Sequence, residues 1–219
     1  MAISRTTRIA ATVAVAAVIG GLGFSTPAFA SAPAQQAAAP TAAVAGPATA
    51  GARVVSQLIA RGRVDGDAWS VTLEFHPTLP GDYPADQFPG SGEQPQAGSL
   101  LCRRMYIGGV RIDQQGGPWA DCQPVNGAHD PAGSGSAGLW GLHDKGTTGS
   151  RLFVSNPENT VAYGVLTLTD GTSLTARTLT VHGTDYRAWA VAIPDGRTIA
   201  TVDEYDTHHQ LVSHSADWR

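Results

Sequence analysis

Lysine and arginine together number only 14 in 219 residues, against 18 aspartates and glutamates. No basic stripe exists to neutralise phosphates, so nucleic acid is excluded as a main partner. Cysteine occurs twice, as Cys102 and Cys122, without a CxxC. That spacing does not suit a metal site or a redox pair. In an exported chain an even pair reads as one disulfide, closing a loop worth about 3 kcal/mol in the chain-entropy picture. No P-loop, dinucleotide fingerprint or G-x-S-x-G is present. "GSGSAG" misses the last, because Ser134 precedes Ser136 where glycine is needed. No cofactor is expected. No segment carries a sustained helical period with caps.

Long apolar runs are also scarce, with one exception near the start. Arg5 and Arg8 precede an apolar stretch, Ile9 to Gly23, and Ala28-Phe29-Ala30 then gives a small-x-small cleavage pattern. This predicts a signal peptide over 1–30, no stable membrane span after cleavage, and a secreted or cell-envelope location. Its removal takes two arginines and makes the net charge two units more negative than −4. Residues 31–52 are alanine-rich, uncharged and broken by Pro33, Pro40 and Pro47. Such a segment cannot offset the entropy of ordering, so it is expected to be a disordered leader. Residues 53–219 remain, enough for one monomeric domain with a sizeable core.

That domain reads as strands. In "WSVTLEFH", Trp69, Val71, Leu73 and Phe75 fall on one face and polar residues on the other. Asp65-Gly66, Asp170-Gly171 and Asp195-Gly196 punctuate further strand pairs. In "RAWAVAI", large residues alternate with Ala190 and Ala192, which suggests close cover by a second layer. "SLLCRRMYIGGVRID" and "PWADCQPV" add strands, and the turn "DTHH" leads into "QLVSH". The expectation is all-β: a single immunoglobulin-like β-sandwich with two long Gly/Pro-rich loops. Those loops are His76–Gly98 and Gly116–Gly146, and loops of such length are often functional or disordered.

The stretches "GVLTLTDGTSLTA", "YRAWAVAIPDG" and "TIATVDEYD" together resemble a β-module of exported or membrane-attached proteins of actinomycete type. The resemblance covers about the last 60 residues. It implies a sandwich-like fold and export, and it transfers no catalytic residue. Where such modules often end the Tyr-Asp turn with glycine, this chain has His209.

Several residues are candidates for chemistry. His129-Asp130 and His143-Asp144 could bind a metal or move protons, though turn chemistry explains the same residues. His208, His209 and His214, with Asp203 and Asp206, could supply metal ligands if a turn brings them together. Trp119 and Trp140, with Tyr83 and Phe88, could stack on sugar or anchor a protein, or fold inward as lids. "CRRMY" places Arg103-Arg104 after a cysteine, as inhibitory loops of protease inhibitors do, although the alternation favours a strand. The leading expectation is a non-enzymatic binding module for an extracellular protein or glycan, contacting it through Trp119, His129, Asp130, Trp140, His143 and Asp144. The alternatives are a metal-assisted hydrolase using the His-Asp pairs and, less central, a protease inhibitor.

Overall fold

The chain divides into two units, Met1–Gly46 and Pro47–Arg219. The computed structural model describes residues 53–84, 98–114, 116–142 and 148–218, all in the second. The expected signal peptide and leader, together with Phe88, His143 and Asp144, lie outside the described residues.

The described residues form thirteen strands and no α-helix: β1 (Val55–Val64), β2 (Asp67–His76), β3 (Ser99–Ile107), β4 (Val110–Arg111), β5 (Cys122–Val125), β6 (Ser136–Gly141), β7 (Arg151–Asn156), β8 (Tyr163–Leu168), β9 (Ser173–Arg177), β10 (Leu179–Thr180), β11 (Arg187–Ile193), β12 (Ile199–Tyr205) and β13 (Leu211–Ser215). No helix among them is long and apolar enough to cross a membrane. All pairings are antiparallel. Sheet I has the order β1-β2-β3-β4, with β5 also on β3; sheet II is β10-β11-β7-β6; sheet III is β13-β12-β8-β9.

The chain is therefore all-β, and its sheets pack as a sandwich with a third layer. Sheet II lies in the middle. Its even-numbered residues Leu152, Val154, Ala188 and Ala190 meet Val71, Leu73, Phe75 and Met105 of sheet I. Its odd-numbered residues Phe153, Trp189, Val191 and Ile193 meet Leu166, Leu168, Ile199 and Val202 of sheet III. Strand alternation feeds both cores at once. Every residue of β7 is buried, as a strand covered on both faces requires. The small alanines of "RAWAVAI" are the closely covered face that the sequence suggested.

Turn chemistry sets the connections. Asp65 and Gly66 both take positive φ (50° and 92°), as a two-residue hairpin with the sheet's twist needs. Asp170-Gly171 joins β8 to β9, and Asp206 accepts backbone N–H bonds from His208 (2.8 Å) and Gln210 (2.9 Å) in the turn to β13. Asp195-Gly196 does something else. It carries the chain from β11 in sheet II to β12 in sheet III, and these strands do not pair. "SLTARTLTV" also breaks: β9 belongs to sheet III and β10 to sheet II, with Thr178 between them.

The expected long loop Gly116–Gly146 is largely ordered structure. It contains β5, a short 3-10 helix over Pro131–Gly133, and β6. Cys102 and Cys122 are bridged, and they sit directly opposite one another on β3 and β5. The bridge lies within a sheet, whereas the one in antibody domains joins two sheets.

Candidate functional site

Trp119 precedes β5 and packs back over sheet I. Its ring meets His76 edge-on (centroids 5.6 Å) and Tyr83 (6.3 Å), with the Arg104 guanidinium 5.4 Å from its centre. Trp140, on β6, receives the Arg103 guanidinium at 5.1 Å and packs against the first core. Both rings are half-buried and occupied by cations of the same chain.

Asp130 performs turn chemistry. It accepts from the backbone N–H of Asn126 (2.6 Å) and of Ala132 (3.0 Å), capping the 3-10 helix. His129 meets Asp185 at 3.0 Å, with side chains 68% and 55% exposed. The expected ligand set His208, His209 and His214 does not converge. His209 bonds the Tyr163 hydroxyl through Nδ1 (3.0 Å), and His214 bonds Asp203 through Nδ1 (2.6 Å). Among the described residues no three His, Cys, Asp or Glu side chains group to hold a metal. His209 does adopt the left-handed φ of 62° that glycine usually supplies in this turn.

Arg103 and Arg104 correct the inhibitor-loop expectation. They lie within β3, paired to β2 on one side, and their side chains are 15% and 11% exposed. A protruding loop is ruled out because the strand's backbone groups are already in the ladder. The two arginines point to opposite faces of sheet I. On the outer face Arg104 reaches Glu74 (2.9 Å) and the buried Asp113 (3.5 Å), and Arg111 donates twice to Asp113 (2.9 and 2.7 Å). The His76 hydrogen bond, helped by Arg104 and opposed by burial, holds Glu74 below the ordinary carboxyl range.

On the inner face Arg103 donates to Asn156 Oδ1 (2.7 Å), Ser136 Oγ (2.7 Å) and Asp121 Oδ1 (3.4 Å). It thereby ties sheet I to β6 and β7 of sheet II. A small cavity of about 90 Å3 beside it is lined by Leu73, Arg103, Asp121, Gln123 and Asn156. Burial pushes the Asp121 carboxyl up to about 6, opposed by the Arg103 charge. Its second oxygen has no hydrogen-bond partner among the described residues.

A pH prediction follows from the sign of that shift. A carboxyl whose folded pKa lies above its unfolded value favours folding when protonated. Its favourable contribution is present below about pH 4 and lost as pH rises through about 6. Asp121→Asn should therefore be more stable than the parent above pH 7, by at most about 3 kcal/mol. The difference should close as pH falls to 4. Paired urea titrations across pH 4–8 check this, and the difference cancels the opposite trend of depressed carboxyls such as Glu74.

An open concavity lies between sheets II and III, where β6 and β13 are the edge strands. It encloses about 230 Å3. Phe153, Val202 and Trp218 give it apolar walls; Glu158, Glu204 and several serines supply polar groups. Among the described residues no lysine, arginine or histidine lines it. Glu204 points inward from β12, and its Oε1 accepts from Ser155 Oγ (2.7 Å) and Trp189 Nε1 (2.9 Å). The Trp218 ring stands edge-on to Phe153 (4.9 Å), and its buried Nε1 has no hydrogen-bond partner among the described residues. No family model, curated protein or solved structure matches the chain. Aromatic walls, a fixed carboxylate and an unpaired indole donor can orient a polar ligand. No nucleophile–base pair accompanies them among the contacts described.

None of the candidate residues read from the sequence lines this cleft. Glu204 lies on the inward face of "TIATVDEYD" together with Val202, a carboxylate on a core face. That signal was available.

Proposed function

We propose that the protein is an exported, non-enzymatic binding module whose ligand, an extracellular protein segment or glycan, enters the cleft between sheets II and III. The observation that carries this is the cleft itself, with Glu204 anchored by two donors and the buried Trp218 N–H without a partner among the described residues. An unpaired buried donor costs about 1–3 kcal/mol, which a ligand acceptor would recover. Those residues expected to do chemistry that are described favour the same reading. Asp130 caps a turn, Trp119 and Trp140 pack on arginines, and the three histidines stand apart. Export rests on the leader pattern and the disulfide. The cleft's carboxylates, with no cation lining it among the described residues, favour hydroxylated or cationic groups over anions.

The test is an indole 1H–15N spectrum of the chain titrated with panels of neutral oligosaccharides and basic peptides. Five tryptophans give five indole signals. A ligand that moves the Trp218 signal, and that binds more weakly once Trp218→Phe removes the donor, supports the proposal. Chelator-sensitive turnover of ester or phosphoester substrates would overturn the non-enzymatic reading. Binding that leaves the Trp218 signal in place would overturn the location.

A further inference from the structure

A second concavity lies near the β1–β2 hairpin, shallower and of opposite charge. It encloses about 560 Å3 and is lined by Arg61, Arg63, Trp69, Ser70, Tyr106 and Gly109. The register builds it. Arg61 sits opposite Ser70, Ser70 opposite Tyr106, and Tyr106 opposite Arg111, so one row crosses four strands on the outer face of sheet I. Arg63 is two residues from Arg61 and opposite Ala68, so both guanidinium groups leave from the same face, about 7 Å apart at the backbone. The Trp69 indole lies on the other, core-facing side of the sheet, against Gly62 and the first core, and lines the shelf only from beneath.

Arg61 and Arg63 differ from the other arginines of this sheet. Arg103, Arg104 and Arg111 are each engaged by carboxylates. Arg61 and Arg63 are exposed, and their side chains have no hydrogen bond or ion pair with any described residue. The nearby Asp65 is occupied by Ser150 Oγ and the Asp195 N–H (2.7 Å each), and Asp67 lies against Gly108. Tyr106 is 39% exposed beside the two cations. This face thus holds two guanidinium forks without a described partner next to the exposed Tyr106 ring, although the net charge is −4.

We propose that this shelf binds an acidic glycan of uronate type, with a sugar face on Tyr106 and carboxylates on Arg61 and Arg63. The planar guanidinium matches a carboxylate with two parallel hydrogen bonds. Aromatic rings supply the apolar platform that a sugar face covers. An anionic membrane fits less well. Each arginine gives only about 1 kcal/mol at such a surface, too little for two of them to hold a net-negative protein. The inference is independent of the cleft between sheets II and III, because it uses none of its residues.

The experiment is calorimetric titration of the full chain with a polygalacturonate oligosaccharide and with its fully methyl-esterified form. The free acid should bind, the neutral ester should bind at least tenfold more weakly, and added salt should weaken the free acid. The Arg61→Ala/Arg63→Ala double variant should lose at least tenfold in affinity at an unchanged unfolding midpoint, since neither side chain has an internal partner. Tyr106→Ala should weaken binding of the acid several-fold. Absence of binding by the acid overturns the proposal. So do equal binding of the ester, affinity unchanged in the double variant, or binding to anionic vesicles in place of the oligosaccharide.

Discussion

Replacing Arg103 with methionine should destabilise the protein by about 3–5 kcal/mol, the cost of breaking a buried ion pair from one side. Methionine fills much of the volume but donates nothing. Asn156 Oδ1, Ser136 Oγ and the buried Asp121 would each lose a donor together. The Trp140 ring would lose the cation above it. Arg103→Lys should fail almost as badly, because one ammonium cannot reach three acceptors held in different directions by a fork. Urea unfolding at pH 7 measures the loss. Adding Asp121→Asn to Arg103→Met should recover part of it, since the orphaned charge is then gone. A cost below 1 kcal/mol for Arg103→Met would mean that the guanidinium does not tie sheet I to sheet II.

The role of Arg103 could have been read from period two alone. In "SLLCRRMYI" it shares a face with Leu101, Met105 and Ile107, all buried. A charge on that face must be paired inside. Attention to "RR" as a motif hid this. Elsewhere alternation was enough: Val71, Leu73 and Phe75 went inward, and the small–large pattern of β11 announced a strand covered on both sides. Cys102–Cys122 and the hairpin at Asp65-Gly66 were equally legible, because each is a local rule. What failed was the treatment of glycine. "SAGLWG" reads as loop, yet it is β6, the edge strand of sheet II. Gly138 is there because a Cβ would lie 2.3 Å from the Trp140 ring. The partners in the cleft were beyond reach for another reason. Glu204 meets Ser155 across 49 residues of sequence, and no local pattern encodes that meeting.

The glycine–ring contact is a recurrent device in this fold, and it carries the second large effect. Trp69 lies on Gly62, Trp140 on Gly138, Tyr186 on Gly133 and Trp189 on Gly164. A chain poor in aromatics seats four of its largest rings on residues without a side chain. Gly164 is the most sensitive seat. A Cβ there would fall 2.1 Å from Trp189 Cε2. The indole cannot retreat: it is fully buried, tilted against Phe153 at 5.0 Å, and hydrogen-bonded to Glu204 at 2.9 Å. Gly164→Ala should therefore cost about 3 kcal/mol through overpacking. Its backbone does not take positive φ, so alanine should otherwise be slightly favourable, by about 0.4–1 kcal/mol. The loss belongs to the ring contact, and a double-mutant cycle isolates it. Trp189→Leu alone leaves a cavity and removes one of the two donors to Glu204. Combined with Gly164→Ala, it should unfold at nearly the same denaturant concentration as Trp189→Leu alone. If the two substitutions instead add, the indole does not rest on Gly164 in solution, and the Glu204 anchor that shapes the cleft would have to be held some other way.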